Sequence, residues 1–233
     1  LFIMGEMVQI PYNGSSTNGY LALPASGQGP AVVVLQEWWG LVPHIKDVAD
    51  RFAAAGYVAL APDLYHGEST SSPDQAGKLM MSLNIAQTQK ELDAVIDFLS
   101  NHQAVSPKKI GTVGFCMGGQ LSLYAASKND KVNACVVFYG IHPHFEPDLA
   151  NIKAAVLGLY AEKDPFVPLE SVKKLEETLK SLGKTVEIKV YPNLDHAFFN
   201  DSRKDAYNKN VYNKEAAEDA WQRVLSLYKE HLQ

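Results

Sequence analysis

Short apolar runs alternate with amphipathic stretches along most of the chain. Five runs bounded by turn-forming residues are typical of strands in a sheet that is covered on both faces: 31–37, 109–115, 132–140, 154–160 and 185–192. Apolar positions recur with helical spacing over 44–57, 84–102, 118–126 and 169–182, and from about residue 213 to the C-terminus. Strands that alternate with helices predict a mostly parallel sheet flanked by helices on both sides.

The first two apolar runs differ from the others because only a short polar stretch separates them. Residues 7–13 and 19–24 flank the sequence GSSTN, which predicts an antiparallel hairpin at the edge of the sheet. We therefore expect an α/β fold with about eight strands in one central sheet. No linker, repeat or low-complexity tract interrupts the pattern, so a single domain over residues 1–233 is expected.

Composition and charge narrow the class of protein. Of the 233 residues, 46% are hydrophobic and 20% are charged, which is ordinary for a soluble globular protein. The net charge is −5 and the basic residues are scattered, so no nucleic-acid partner is expected. No apolar run approaches the roughly 18 residues that a membrane helix needs, and no secretory signal is recognisable, so we expect no membrane partner and a cytoplasmic location. Nucleotide-binding glycine motifs are absent from the sequence, and no cofactor is expected.

The chain has two cysteines, which is too few for a secreted disulfide framework. Cys135 lies in the middle of a predicted strand and is expected to be a small buried side chain. Cys116 instead ends an apolar run and lies between glycines. Its position calls for an explanation by chemistry or by packing.

Residues 114–118 read Gly-Phe-Cys-Met-Gly, between a predicted strand and a predicted helix. This is the context of a nucleophile elbow, a turn so sharp that side chains two places on either side of the central residue would collide. The turn would place Cys116 at a helix N-terminus, where the helix dipole favours a thiolate, with the Met117 amide as an oxyanion donor. A buried cysteine in a glycine-rich turn is the alternative.

An acid and a histidine follow the cysteine in the chain order of this elbow fold. Asp164 comes after the predicted strand 154–160, and His196 comes after the strand 185–192. An imidazole that takes the thiol proton and is itself held by a carboxylate is a general way to activate a weak nucleophile. Asp195 is a competing partner for the histidine, although sequence neighbours seldom face one another well.

Other histidines fall in loops at the carboxyl ends of predicted strands, namely His66, His142 and His144. No acidic or cysteine residue recurs near them at the spacing of metal ligands, so no metal site is expected. They are expected at the rim of the pocket or in solvent.

Five stretches together resemble the dienelactone hydrolase, or carboxymethylenebutenolidase, family within the α/β-hydrolase fold. The stretches are QEWWG (36–40), GYVALAPDLYHG (56–67), GFCMGG (114–119), DPFVP (164–168) and YPNLDHAF (191–198). The resemblance implies that the chain is a carboxylic ester hydrolase that acts on a small-molecule lactone or activated ester through a thioester intermediate.

The resemblance also implies roles for individual residues. Cys116 would be the nucleophile, His196 the base and Asp164 its orienter, while Glu37 would contact the resting thiol and help it to ionise. The residues themselves support Glu37, because a carboxylate that ends a buried strand is costly without a partner. The backbone N–H groups of Met117 and Trp38 would form the oxyanion hole.

The chain departs from the family at two positions where arginines hold a substrate carboxylate. Pro73 and Asn200 stand there instead, and a neutral side chain does not replace a bidentate guanidinium. Arg203 or Lys78 is a candidate to compensate, and Arg203 and Phe138 are the candidate substrate-binding residues.

Three alternatives to an enol-lactone hydrolase stay open at this point. They are a broad-specificity carboxylesterase or thioesterase, a redox-sensing cysteine protein and a catalytically silent ligand-binding domain. A low-pKa thiol at a helix N-terminus also oxidises readily, but oxidation does not require the ordered acid and histidine. A monomer or a weak dimer is expected.

Overall fold

The computed structural model describes residues 5–202 and 211–233. Its strands are β1 Glu6–Tyr12, β2 Ser15–Ala22, β3 Gly29–Leu35, β4 Val58–Pro62, β5 Val105–Phe115, β6 Val132–Phe138, β7 Ala155–Ala161 and β8 Val186–Tyr191. Its α-helices are α1 Pro43–Ala54, α2 Pro73–Met81, α3 Ile85–Asn101, α4 Met117–Lys128, α5 Leu169–Ser181 and α6 Lys214–Leu232, and a 3₁₀ turn spans Leu149–Asn151. Within these ranges, no helix is both long and apolar enough to cross a membrane.

The eight strands form one sheet in the order β1-β2-β4-β3-β5-β6-β7-β8. Strands β1 and β2 pair antiparallel, β2 also pairs antiparallel with β4, and the pairs from β4 across to β8 are parallel. The sequence prediction of an α/β fold with about eight mostly parallel strands and an N-terminal antiparallel hairpin is confirmed.

The hairpin turn is tighter than the sequence prediction. Strand β2 begins at Ser15, so that only Asn13 and Gly14 separate it from β1, where five residues were expected. Both turn residues have positive φ, 47° and 75°, and asparagine followed by glycine is the pair that tolerates such a two-residue turn. The Asn-Gly pair was the signal for this shorter connection.

Two elements were not predicted. Strand β4 has only five residues, all buried, and it follows a helix within a long apolar stretch, so periodicity alone does not separate it. Helix α2 has nine residues and begins at Pro73, and the Ser72 side chain accepts a hydrogen bond from the Gln75 N–H. A serine cap followed by proline is a helix-start signal that a reading based on apolar spacing overlooks.

Alternating side chains of β5 separate two layers of helices. Thr112 accepts a hydrogen bond from Ser122 of α4, with 2.8 Å between the two hydroxyl oxygens. A Cβ atom added at the preceding residue, Gly111, would lie 2.7 Å from the ring of Tyr228 in α6. Because neighbouring residues of a strand point to opposite faces, α4 and α6 cover opposite faces of the sheet, as the alternation of strands and helices predicts.

The loops that follow the parallel strands lie at one edge of the sheet. Strands β3, β5, β6, β7 and β8 run parallel, so their carboxyl ends point the same way. In open α/β sheets this edge is where ligands bind. The residues just beyond the carboxyl ends of these strands are therefore candidates for a functional site.

The close contact at Gly111 predicts a stability effect. Gly111→Ala is expected to lower the free energy of unfolding by about 1–3 kcal/mol, because a methyl group must displace the Tyr228 ring in a packed core. Gly77→Ala is the matched control: a Cβ atom there meets only the Trp38 ring, at 3.9 Å, within helix α2. The control is expected to be neutral or to stabilise by about 0.5–1 kcal/mol. Equal urea midpoints for the two variants would contradict this packing.

Candidate active site

Cys116 occupies a strained turn between β5 and α4. Its φ is 58° and its ψ is −121°, a conformation that is uncommon for a residue other than glycine. A Cβ atom at Gly114 would lie 1.7 Å from the carbonyl oxygen of Gly118, and one at Gly118 would lie 2.3 Å from the carbonyl oxygen of Leu35. The glycines are therefore required by backbone contacts, as the elbow pattern predicts.

The same turn places Cys116 at the N-terminus of α4. It is the residue that precedes the helix, its carbonyl accepts hydrogen bonds from the Gly119 and Ile141 N–H groups, and 7% of the residue is exposed. The first turn of the helix contains no acidic residue, so its dipole is not offset there. The positive end of the helix dipole is therefore directed at Cys116.

His196 is held by Asp164, as the order of the sequence suggests. The histidine Nδ1 and the carboxylate Oδ2 are 2.6 Å apart. The other oxygen of Asp164 accepts hydrogen bonds from the Phe166 and Val167 N–H groups, at 2.8 Å and 3.1 Å. Because both oxygens of Asp164 are engaged, the carboxylate is fixed and presents one oxygen to the ring.

The charges of its neighbours make the imidazole of His196 strongly basic. Burial by itself lowers the pKa of His196, but the attraction of the Cys116 thiolate and hydrogen bonds with Asp164 and Cys116 raise it to about 10. The ring also lies against two aromatic rings, 4.8 Å from Tyr139 and 5.2 Å from Phe166 between centroids. The His196 imidazole thus contacts Asp164 directly and interacts electrostatically with Cys116.

Glu37 lies just past the end of β3, buried to 2% exposure. Its Oε1 accepts a hydrogen bond of 2.7 Å from Nδ2 of Asn200, four residues after His196 in the chain. Burial and then the charges of Glu37 and Cys116 raise the pKa of the Tyr139 hydroxyl well above its usual value. The carboxylate and the thiol therefore share one neighbour, Tyr139.

The backbone N–H groups expected to form the oxyanion hole are those of Met117 and Trp38. Met117 is the first residue of α4, where the helix supplies no acceptor for its N–H, and Trp38 follows Glu37 in the loop after β3. In the described part of the chain, neither N–H donates to another backbone group. Trp38 is half-buried, and its ring packs edge-on against Trp39 with 5.2 Å between centroids.

The remaining candidate residues for substrate binding lie in different environments. Phe138 is 1% exposed and stacks on Phe115, with 4.7 Å between centroids, so its ring belongs to the core beneath the site and offers no surface to a substrate. This corrects its assignment to the substrate pocket; a strand-end position did not distinguish the two. Lys78 is exposed on α2, and Arg203 lies outside the described residues.

Two of the loop histidines have structural partners. His142 is 5% exposed, and its Nε2 lies 3.0 Å from the carbonyl oxygen of Met80, so it ties its loop to the end of α2. His66 contacts the buried carboxylate of Glu91. In the ranges that the structure describes, no group of three metal-ligating side chains is found.

Tyr139 and Tyr65 are neighbours of the cysteine that the sequence analysis missed. Tyr139 follows β6 with a positive φ of 39° and is fully buried. The Tyr65 hydroxyl donates to the Met117 sulfur at 3.3 Å, and burial and the charge of Cys116 raise its pKa. Tyr139 lies next to the end of the predicted strand 132–140, at the edge where ligands bind, which was the signal available for it.

Comparison with known proteins gives consistent results. The family model described as "Dienelactone hydrolase family" matches residues 17–232. "Protein usf" of Aquifex pyrophilus is 41% identical over 237 residues, which cover 98% of this chain and 100% of that protein. A protein of Aquifex aeolicus named "Putative carboxymethylenebutenolidase" is 37% identical over 236 residues, with 98% and 100% coverage.

A solved structure agrees with these sequence matches. The crystal structure named "Putative Dienelactone Hydrolase" from Klebsiella pneumoniae has 31% sequence identity and a TM-score of 0.85, and the match covers 98% of this chain and 99% of that one. The expected α/β-hydrolase fold is thereby confirmed.

The electrostatic coupling of His196 to the cysteine predicts a titration. In the wild type, the His196 ring is expected to stay protonated until the pH approaches about 10. In Cys116→Ala the attraction of the thiolate is lost while burial remains, so the pKa of His196 is expected to fall. Ring signals measured by NMR, assigned with His196→Gln, would report both values. An unchanged titration in Cys116→Ala would refute the coupling.

Proposed function

The chain belongs to the dienelactone hydrolase family, and from this premise we propose that it hydrolyses a lactone or an activated ester through Cys116, His196 and Asp164, with a thioester intermediate. The observation that carries the proposal is the 2.6 Å contact between His196 Nδ1 and Asp164 Oδ2, combined with the electrostatic interaction of the same ring with Cys116. A nucleophile, a base and an orienting carboxylate in this sequence of contacts are the parts that acyl transfer needs.

In the proposed first step, the Cys116 thiolate attacks the substrate carbonyl carbon. A carbon–sulfur bond forms, and the carbonyl electrons move to the oxygen. The N–H groups of Met117 and Trp38 donate to this oxyanion, where such donors are most effective because they are already oriented. The tetrahedral intermediate collapses, the carbon–oxygen bond to the leaving group breaks, and His196 gives that group its proton.

In the second step, water hydrolyses the thioester. His196, now neutral, takes a proton from the water as its oxygen attacks the carbonyl carbon. Collapse of the second intermediate breaks the carbon–sulfur bond, and the acid is released together with the regenerated thiolate. Asp164 keeps the ring in the orientation and tautomer that both steps require, because its fixed oxygen accepts from Nδ1.

A sulfur nucleophile sets a preference among substrates. The first intermediate partitions between loss of the thiolate and loss of the alcohol oxygen. A thiol ionises near pH 8.5 in an unperturbed peptide, so its thiolate is expelled more readily than an ordinary alkoxide, and only a good leaving group competes with it. We therefore expect turnover of enol-lactones and aryl esters, and little of alkyl esters or amides.

A broad-specificity carboxylesterase is the second candidate. The observation that favours it is Asn200, which directs its amide to Glu37 where arginine would hold a substrate carboxylate in related enzymes. The chemistry of the cysteine is the same in both cases, and only the range of accepted acyl groups differs.

The proposal predicts that activity depends on one cysteine and not on the other. With p-nitrophenyl acetate, Cys116→Ala and His196→Ala are each expected to lower kcat/KM at least about a thousandfold. Cys135→Ala is the matched control, because Cys135 is fully buried in β6 and burial raises the pKa of its thiol to about 11. This control is expected to keep kcat/KM within about threefold of the wild type, because Cys135 is not one of the three residues of the proposed mechanism.

Two outcomes would count against the proposal. Turnover that persists in Cys116→Ala would show that the ester is cleaved elsewhere. A Cys116 thiol that oxidises readily while wild type and His196→Ala turn over the ester equally slowly would indicate a redox sensor instead, because oxidation needs no histidine base.

A further inference from the structure

Asn200 ties the loop after His196 to the carboxylate beside the cysteine. It is 2% exposed, and its Nδ2 donates to Oε1 of Glu37 at 2.7 Å. Its own backbone N–H donates to the carbonyl of Ala197, one residue after the histidine. The position of Glu37 is therefore coupled to that of the histidine loop through a single side chain.

The other half of the Asn200 amide fixes which way the group faces. Its Oδ1 accepts hydrogen bonds from the N–H and the hydroxyl of Ser202, at 2.9 Å and 2.7 Å. The backbone N–H of Ser202 is a donor in any orientation, so the oxygen of the amide must lie on that side and the NH₂ group on the side of Glu37. Glu37 thus accepts from a neutral donor.

A neutral partner leaves the charge of an ionised carboxylate in place. The acidic groups of the site are the Glu37 and Asp164 carboxyls and the Cys116 thiol, and its basic group is the His196 imidazole. Asp164 and His196 compensate one another by direct contact. In the described ranges no lysine, arginine or histidine forms an ion pair with Glu37.

A nearby guanidinium is already engaged elsewhere. Arg51 lies over the ring of Phe199, the neighbour of Asn200, at 5.3 Å, and over the ring of Trp221 at 4.4 Å. These contacts pack the Arg51 guanidinium of α1 against two aromatic faces, one of which belongs to Trp221 of α6.

We infer that the carboxylate of Glu37, which Asn200 holds in place, makes this site selective for substrates without a negative charge, with Glu37 as the specificity-determining residue and Asn200 as its positioning residue. The inference rests on the proposed function, because it concerns the ester that reaches Cys116. A carboxylate on the substrate meets the negative charge of buried Glu37, which has no ion-pair partner among residues 5–202 and 211–233, and like charges a few ångströms apart in a site of low dielectric repel strongly. A neutral or cationic substrate does not.

Three aryl acetates that differ only in the charge of the leaving group test the inference. They are 4-acetoxybenzoate, its methyl ester and 4-acetoxy-N,N,N-trimethylanilinium. Each kcat/KM at neutral pH is divided by the rate constant for alkaline hydrolysis of the same ester, which removes the intrinsic reactivity. For the wild type, the corrected value for the anion is expected to be at least about tenfold below that of the neutral ester.

Variants separate charge from structure. Glu37→Gln removes the charge with little change in shape and is expected to raise the anion-to-neutral ratio at least about fivefold, even where kcat falls. Asn200→Arg, which supplies a cation, is expected to shift the ratio in the same direction. Asn200→Leu removes the hydrogen bond and keeps the charge, so kcat is expected to fall while the ratio stays within about twofold of the wild type.

Gln28→Arg is the matched control for added charge. Gln28 is exposed and lies just before β3, at the opposite end of that strand from Glu37. The same positive charge at this distance is expected to leave the ratio within about twofold of the wild type, because salt screens exposed charges beyond about 10 Å.

The inference is overturned if the corrected kcat/KM of the wild type is the same for the anionic ester and the neutral ester. It is also overturned if Glu37→Gln leaves the anion-to-neutral ratio unchanged. A preference for the anion that disappears in Arg203→Ala also overturns it and would assign the substrate carboxylate to Arg203. The proposed function fails differently, since all three esters would then be hydrolysed equally by wild type and Cys116→Ala. The two failures are thus distinguishable.

Discussion

The turn between β5 and α4 is the constraint on which the site depends. The backbone of Gly118 approaches the carbonyl oxygen of Leu35 so closely that no side chain fits at Gly118. A side chain at Gly114 would in turn collide with the backbone of Gly118. Under these contacts Cys116 adopts a φ of 58°. The strain is stored in a packed core, and its result is a thiol at the N-terminus of α4.

The parallel sheet turns distant parts of the sequence into neighbours of that thiol. Strands β7 and β8 pair directly, so the loops that follow them carry Asp164 and His196 to the same edge. Strand β3 lies beside β5 and brings Glu37, while β6 on the other side brings Tyr139. Each group comes from a different loop, and the rigid strands fix their relative positions.

The sequence was sufficient to predict the type of fold and the order of the main chemical groups. The glycines around Cys116 and the loop positions of Asp164 and His196 are local signals, because each depends on a turn or on a strand end. The partner of Glu37 was not predictable in this way. Asn200 is remote from Glu37 in the chain, and only the folded structure shows that its amide nitrogen faces the carboxylate.

The sequence predictions that were wrong or incomplete concern features that depend on packing in the folded protein. Phe138 ends a strand at the correct edge, but whether its ring meets substrate or core depends on Phe115 and Phe199, which pack around it. Strand β4 and helix α2 were missed because each is short and its stability comes from packing and capping more than from apolar periodicity. Local sequence motifs therefore predict where the candidate site lies better than they predict which side chains line it.

The most direct test of the account is to identify the atom that carries the acyl group during turnover. An aryl acetate can be mixed with the enzyme, quenched in acid within the first turnover and digested for mass spectrometry. The account predicts an acetyl group on the peptide that contains Cys116, released by hydroxylamine at neutral pH as a thioester is, and accumulating when His196 is replaced by a residue that cannot activate water. An acetyl group on a serine, or rapid turnover with no acyl-enzyme on Cys116 at any time, would contradict it.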